Sequence, residues 1–278
     1  MGRHFFVLTV LLGLLAAQPA WAQGLVDRDV PYGNDPAEIL DLYHPAGAGP
    51  AHLVVFLHGG GWVAGQKNIG RLIAPPLVAR GYAVASLGYR LYPQATPAGA
   101  AQDAANGIAY LLRNAARFGL SPGRFALIGH SSGAHMVALL GTDAGYLRRA
   151  GLDPASLAAV ITLDGVFDVH ANLTDFPNQK REAVFGDDPA GWKQVSPVDL
   201  LDTASIHPRF CLVHEDTNAR FVEQEALFAA ALARHGAPAQ SVVAHGLTHG
   251  DLVQEFSDAA APMAPFALSC LTGAFGLN

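Results

Sequence analysis

The chain has 278 residues, 51 % apolar and 14 % charged, and its 17 Lys and Arg against 23 Asp and Glu give a formal charge of −6. That composition excludes a mainly disordered polymer and argues against a nucleic-acid binder, which carries a basic face. Two cysteines are too few for a disulfide scaffold or a four-thiolate zinc site, and the length suits one large α/β domain or two small ones.

In chain order, Arg3 and His4 open a positive start, an apolar run extends from Phe5 to Ala17, and Ala20-Trp21-Ala22 supplies a small-x-small cleavage site. Residues 1–22 therefore read as a secretory signal peptide, since the run is shorter than the roughly 20 residues a bilayer span needs. The expectation is an exported protein, periplasmic or secreted, without stable membrane insertion, whose single domain covers residues 23–278. In an oxidising compartment Cys211 and Cys270 could pair, with two free, buried thiols as an equal alternative.

Alternating strands and helices follow. Glu38 to Tyr43 is a short strand with mixed faces, and Leu53 to Leu57 (LVVFL) is a continuous apolar run, as a strand buried on both faces requires. Asn68 to Arg80 has helical spacing, Tyr82 to Leu87 is a strand, and Thr96 to Arg117 is a long helix with Pro97 in its first turn. Arg124 to Ile128 is a strand, Ser132 to Leu140 a helix, and Leu157 to Leu163 and Phe210 to His214 are further strands. Phe221 to His235 is a helix stopped by Gly236, Ser241 to Ala244 is the last strand, and a helix from Asp251 is broken by Pro262 and Pro265. This alternation implies a mainly parallel sheet covered on both faces. Asp168 to His207 shows no clear strand and reads as a small lid or decorated loop.

The strongest chemical signal is Gly129-His130-Ser131-Ser132-Gly133, between a predicted strand and a predicted helix. That is the context of a Gly-x-Ser-x-Gly nucleophile elbow, in which two glycines permit a strained turn that holds Ser131 upright at a helix N-terminus. The second is His58-Gly59-Gly60-Gly61-Trp62, directly after a buried strand. Adjacent glycines let backbone N–H groups approach a substrate, as acyl transfer needs for its oxyanion. Gly60, Gly61 and Ser132 are the expected donors. His58 reads as a loop-fixing residue, and Trp62, with His130, as a wall of the substrate pocket or a packing residue.

These stretches, with Leu40 to Tyr43 (LDLY), Tyr89 to Pro93 (YRLYP) and Thr248 to Gly250 (THG), resemble the α/β-hydrolase-fold serine esterases with a His-Gly-Gly-Gly-Trp loop. The chain is similar to small bacterial carboxylesterases of the feruloyl/acetyl-xylan esterase type and to kynurenine formamidases. The resemblance implies an α/β-hydrolase fold with a mainly parallel eight-stranded sheet, helices on both faces and at most a small lid. It implies a supporting role for Tyr89 and Arg90, the latter a candidate partner of Asp103. It also implies a chain order of nucleophile, acid, then base. His249, past the last strand, matches the position of the base; its rival His245 does not. The i, i+4 spacing of these two histidines binds metal only on a helix, and Gly246 and Gly250 make this a loop. The acid is expected after the strand ending at His214, where Asp216 is preferred to Glu215. Asn218 lacks the charge, and Asp164 and Asp168, after the preceding strand, are a distant third choice.

The expected chemistry is hydrolysis of small or short-chain carboxylic esters through an acyl-enzyme on Ser131, with no metal and no organic cofactor. The expected partner is a small-molecule ester, acyl groups of plant polysaccharide among the candidates, and not nucleic acid. Arylformamide hydrolysis is the chemical alternative; a non-catalytic binding protein of this fold ranks below both.

Overall fold

A computed structural model of the chain describes residues 25–47, 49–201, 208–258 and 260–277. The expected signal peptide lies outside the described residues.

Eight strands form one sheet: β1 (Val26–Pro31), β2 (Ile39–Tyr43), β3 (Ala51–Leu57), β4 (Ala83–Leu87), β5 (Leu120–His130), β6 (Leu157–Leu163), β7 (Arg209–Glu215) and β8 (Ala239–Ala244). Their order is β1-β2-β4-β3-β5-β6-β7-β8. The β1–β2 and β2–β4 pairs are antiparallel and every later pair is parallel. The eight-stranded, mainly parallel sheet expected from the sequence is thus present. The unforeseen strand is β1, whose polar sequence VDRDVP, exposed positions and bulge between Asp27 and Val30 mark a sheet edge.

Alternation along the apolar strands divides the core. Val54 and Phe56 of β3 point to a face packed by Ile73 and Leu77 of α1 (Gly70–Val78) and Met263 and Leu271 of a C-terminal helix. Leu53, Val55 and Leu57 point to the other face, under Ala104 and Ile108 of α2 (Pro97–Arg113), Val137 and Leu140 of α3 (Ser132–Thr142) and Phe228 of a later helix. Both faces are dry, which is why these strands read as unbroken apolar runs. Successive strands leave β3 in opposite directions, β4 on one side and β5 on the other. The loops after β3 and β5 therefore flank a crevice at the carboxyl edge, where sheets of this kind bind ligands.

Local signals set the helix ends. Thr96 caps α2 by accepting from the Gly99 N–H at 3.2 Å, with Pro97 in the first turn. After α4 (Ala144–Arg149), the stretch expected to be a lid is four short helices: α5 (Val169–Asp175), α6 (Gln179–Phe185), α7 (Pro189–Lys193) and α8 (Pro197–Leu200). Prolines 189 and 197 open two of them rather than breaking a longer one. Next come α9 (Ala219–Arg234), α10 (Asp251–Gln254) and α11 (Met263–Phe275). The last corrects the expectation that Pro265 ends helical structure. It lies in the first turn of α11, where its missing N–H has no acceptor to satisfy.

Two long-range ties complete the frame. A disulfide joins Cys211 of β7 to Cys270 of α11, which the sequence left open. Arg90 grips buried Asp103 with two N–H groups, at 2.9 and 2.6 Å. Among the described residues no helix is long and apolar enough to cross a membrane.

Candidate active site

Ser131 stands between β5 and α3 with φ 57° and ψ −119°, a backbone state that non-glycine residues adopt only when the surroundings impose it. The surroundings do so here: its N–H donates to the Leu163 carbonyl at 2.9 Å, and its carbonyl accepts from the His135 N–H at 3.1 Å. A Cβ on Gly133 would collide with the Leu57 and His58 carbonyls, so the elbow closes against the end of β3 only because this position has no side chain.

The glycine loop lies against the elbow. A Cβ on Gly59 would come within 2.9 Å of Ser131 Cβ and 2.8 Å of His130 Nδ1. Gly60 and Gly61 both have positive φ, and the Gly60 carbonyl accepts from the N–H groups of Val63 and Ala64, so the loop folds on itself. Ser132 opens α3, where its N–H has no acceptor within the helix. His58 fixes the root of the loop: its ring stacks on Tyr89 at 4.3 Å, and the Tyr89 hydroxyl donates to its carbonyl at 2.6 Å. Burial holds this ring down at about 4, so it stays neutral. Trp62 is buried, 3 % exposed, and its indole packs edge-on against Phe185 of α6.

His249 is held by a carboxylate, two rings and the elbow. Its Nδ1 donates to Asp164 Oδ2 at 2.8 Å, which leaves Nε2 as the free ring nitrogen. Its ring lies between two others, stacked on Phe221 of α9 at 4.2 Å and tilted against His130 at 4.4 Å. The Nε2–H of His130 donates to the His249 carbonyl at 2.9 Å, so the residue before Ser131 grips the loop that carries the imidazole. Burial, then the Arg220 guanidinium, keep His249 below the usual imidazole range.

The carboxylate facing His249 is Asp164, not Asp216. Asp164 ends β6, is 1 % exposed, and accepts on Oδ1 from the Glu215 N–H at 3.0 Å. Its own N–H is held by the Val213 carbonyl at 2.9 Å, at the unusual φ of 49°. Burial pushes its carboxyl up to about 7. Asp216 points outward, bonded to His245 Nδ1 at 2.7 Å and to the Gly246 N–H at 3.0 Å. The cause is the neighbouring turn. Glu215 is fully buried and folds back to accept from the Thr217 N–H and hydroxyl and the Asn218 N–H, which throws Asp216 to the surface. Asp216 therefore braces the start of the loop that bears His249.

Sequence reasoning ranked Asp164 only third as partner of the imidazole, and passed over two further residues at this site: Phe221 as its platform and His135 behind the glycine loop. Among the described residues no group of three or more His, Cys, Asp and Glu side chains is disposed to hold a metal ion.

The chain is similar to known proteins. A probable isoprenylcysteine alpha-carbonyl methylesterase of Oryza sativa subsp. japonica is 32 % identical over 246 residues, covering 82 % of this chain and 57 % of that protein. The chain thus spans little more than half the length of that relative. Kynurenine formamidase of Drosophila melanogaster is 27 % identical, with 84 % of this chain and 77 % of that one covered. A truncated carbohydrate esterase from gut microbiota superposes with a TM-score of 0.79 at 22 % identity, over 90 % of this chain and 96 % of the other. Esterase B from Lactobacillus Rhamnosis (HN001) gives 0.78 at 22 %, over 91 % and 85 %. The architecture is the α/β-hydrolase fold. Residues 40–231 match the BD-FAE family model, and the chain belongs to that family.

Proposed function

We propose that the protein is a serine hydrolase that cleaves small or short-chain carboxylic esters. One observation carries the reading: buried Asp164 bonded at 2.8 Å to His249, on a loop that His130 ties to the strained elbow of Ser131. A buried carboxylate on Nδ1 fixes the tautomer with its acceptor at Nε2 and balances the imidazolium that forms when that nitrogen takes a proton. Ser131 Oγ attacks the ester carbonyl as its proton passes to His249 Nε2. The oxyanion is met by the N–H groups of Gly60, Gly61 and Ser132. His249 returns the proton to the departing alkoxide, leaving an acyl-Ser131. Water then attacks that ester, gives its proton to the same nitrogen, and releases the acid and the free hydroxyl.

The test is Ser131→Ala with a short p-nitrophenyl ester and a fluorophosphonate probe. Turnover and labelling vanish while the melting temperature stays within a few degrees; retained turnover rejects the assignment. Similarity to a kynurenine formamidase supports a second reading, arylformamide hydrolysis by the same groups. A panel of methyl, acetyl-xylan and feruloyl esters with N-formylkynurenine separates the two by kcat/KM. The chain is further proposed to be exported, a reading supported by the Cys211–Cys270 disulfide, since such bonds persist in oxidising compartments. Fractionation of the producing cells tests this.

A further inference from the structure

The residue that ends the glycine loop is itself strained. Trp62 has φ 62°, a left-handed conformation that a bulky side chain adopts only when neighbours enforce it. Three contacts do so. Its carbonyl accepts from the Tyr92 N–H at 2.8 Å, its ring meets Phe185 edge-on at 4.7 Å, and its indole N–H donates to His135 Nδ1 at 3.2 Å.

The last bond determines the state of His135. An indole N–H only donates, so Nδ1 carries no proton, and the proton sits on Nε2, which donates to the Val195 carbonyl at 2.7 Å. This fully buried ring is therefore neutral, in one tautomer, and satisfied at both nitrogens. Burial keeps it at about 4, far from protonation at neutral pH. The three elements it joins are those that matter to the site. Its own N–H is bonded to the Ser131 carbonyl, Trp62 directly follows Gly60 and Gly61, and Val195 lies between α7 and α8 of the 169–200 segment.

We propose that His135 is a positioning residue for the oxyanion loop, acting through Trp62, and that the 169–200 segment completes the support through Val195 and Phe185. The segment is then part of what aims the Gly60 and Gly61 N–H groups, and not only a cover. This rests on the serine-hydrolase reading above. Its signature is a loss in kcat rather than KM, because the loop's donors meet charge that develops after binding.

The test compares Trp62→Phe, which removes one N–H and keeps an aromatic ring, with His135→Leu, their double variant, and His135→Gln. A glutamine amide offers one acceptor and one donor, so it can replace both bonds. Using a short p-nitrophenyl ester, each of the first two lowers kcat about 10–100-fold with KM within about threefold. The double variant is no worse than the poorer single one, since both remove the same link. His135→Gln recovers to within about fivefold of the parent. The proposal is overturned if Trp62→Phe keeps kcat within threefold of the parent, if the losses multiply, or if His135→Gln is as poor as His135→Leu. Should His135→Leu not fold, Trp62→Phe and His135→Gln decide by the same limits. Ser131→Ala runs alongside, and activity surviving that change rejects the hydrolase reading itself.

Discussion

Replacing Asp164 with Asn keeps the shape of the side chain and an oxygen for the Glu215 N–H, and removes the charge facing His249 Nδ1 at 2.8 Å. Opposite unit charges about 4 Å apart attract by about 4 kcal/mol at an effective dielectric near 20, or about a thousandfold in rate when one charge exists only in the transition state. Loss of the preferred tautomer adds to this, as an Asp→Asn change at a comparable triad lowers kcat by about ten-thousandfold. The expected fall in kcat is therefore about 10³–10⁴. Asp216→Asn, at an exposed pair with His245, costs less than about fivefold. Stability moves the other way. Burial holds the Asp164 carboxyl at about 7, above its unfolded value, so the folded state binds that proton more tightly. Ionisation then costs stability as pH rises from about 4 to 7, and at pH 8 the Asn variant melts no lower than the parent. Steady-state turnover of p-nitrophenyl acetate, with melting curves at pH 8, reads both quantities. Asp164→Asn within tenfold of the parent, or Asp216→Asn as the collapsed variant, refutes the assignment.

Because burial and the Arg220 charge depress the pKa of His249, its neutral, proton-accepting form persists into mild acid. The acid limb of kcat/KM belongs to the bonded Asp164–His249 pair, and since the Arg220 charge lowers both groups, the limb moves to higher pH in Arg220→Gln; a limb that stays in place contradicts this. The Cys211–Cys270 bond spans a separation of 59 residues, and its removal as a double Ala variant costs about 2–4 kcal/mol. Dithiothreitol lowers the melting temperature of the parent and leaves the variant unchanged, so equal sensitivity of the two would oppose a structural disulfide. Gly133→Ala drives a Cβ into the Leu57 and His58 carbonyls; loss of soluble protein or of more than about 3 kcal/mol in urea unfolding is expected, and a fully active, stable variant contradicts the elbow geometry.

The strands buried on both faces were legible because burial leaves no polar position to interrupt them, as in LVVFL of β3. Edge strand β1 was not, since one exposed face and a bulge erase the apolar signal. Ser131 and the glycine loop were readable from local patterns that only a tight bend explains. Asp164 was not, and the sheet register shows why. Leu163 of β6 sits beside Val213 of β7, so the acids that follow the two strands emerge side by side at one edge. Linear order cannot choose between them. The choice rests on Glu215 turning inward to close its own loop, a three-dimensional fact. Phe221 and His135 were hidden for a related reason: an aromatic ring in a helix reads as core until its neighbour is known.

The two margins of the sheet differ. At β1 the chain presents Asp27, Arg28, Asp29 and a bulge, all of which discourage another strand from adding there. At β8 the sequence AQSVVA carries no charge and runs straight into the turn leading to His249. A strand from another copy would therefore meet fewer obstacles at β8, beside the loop that bears His249, than at β1.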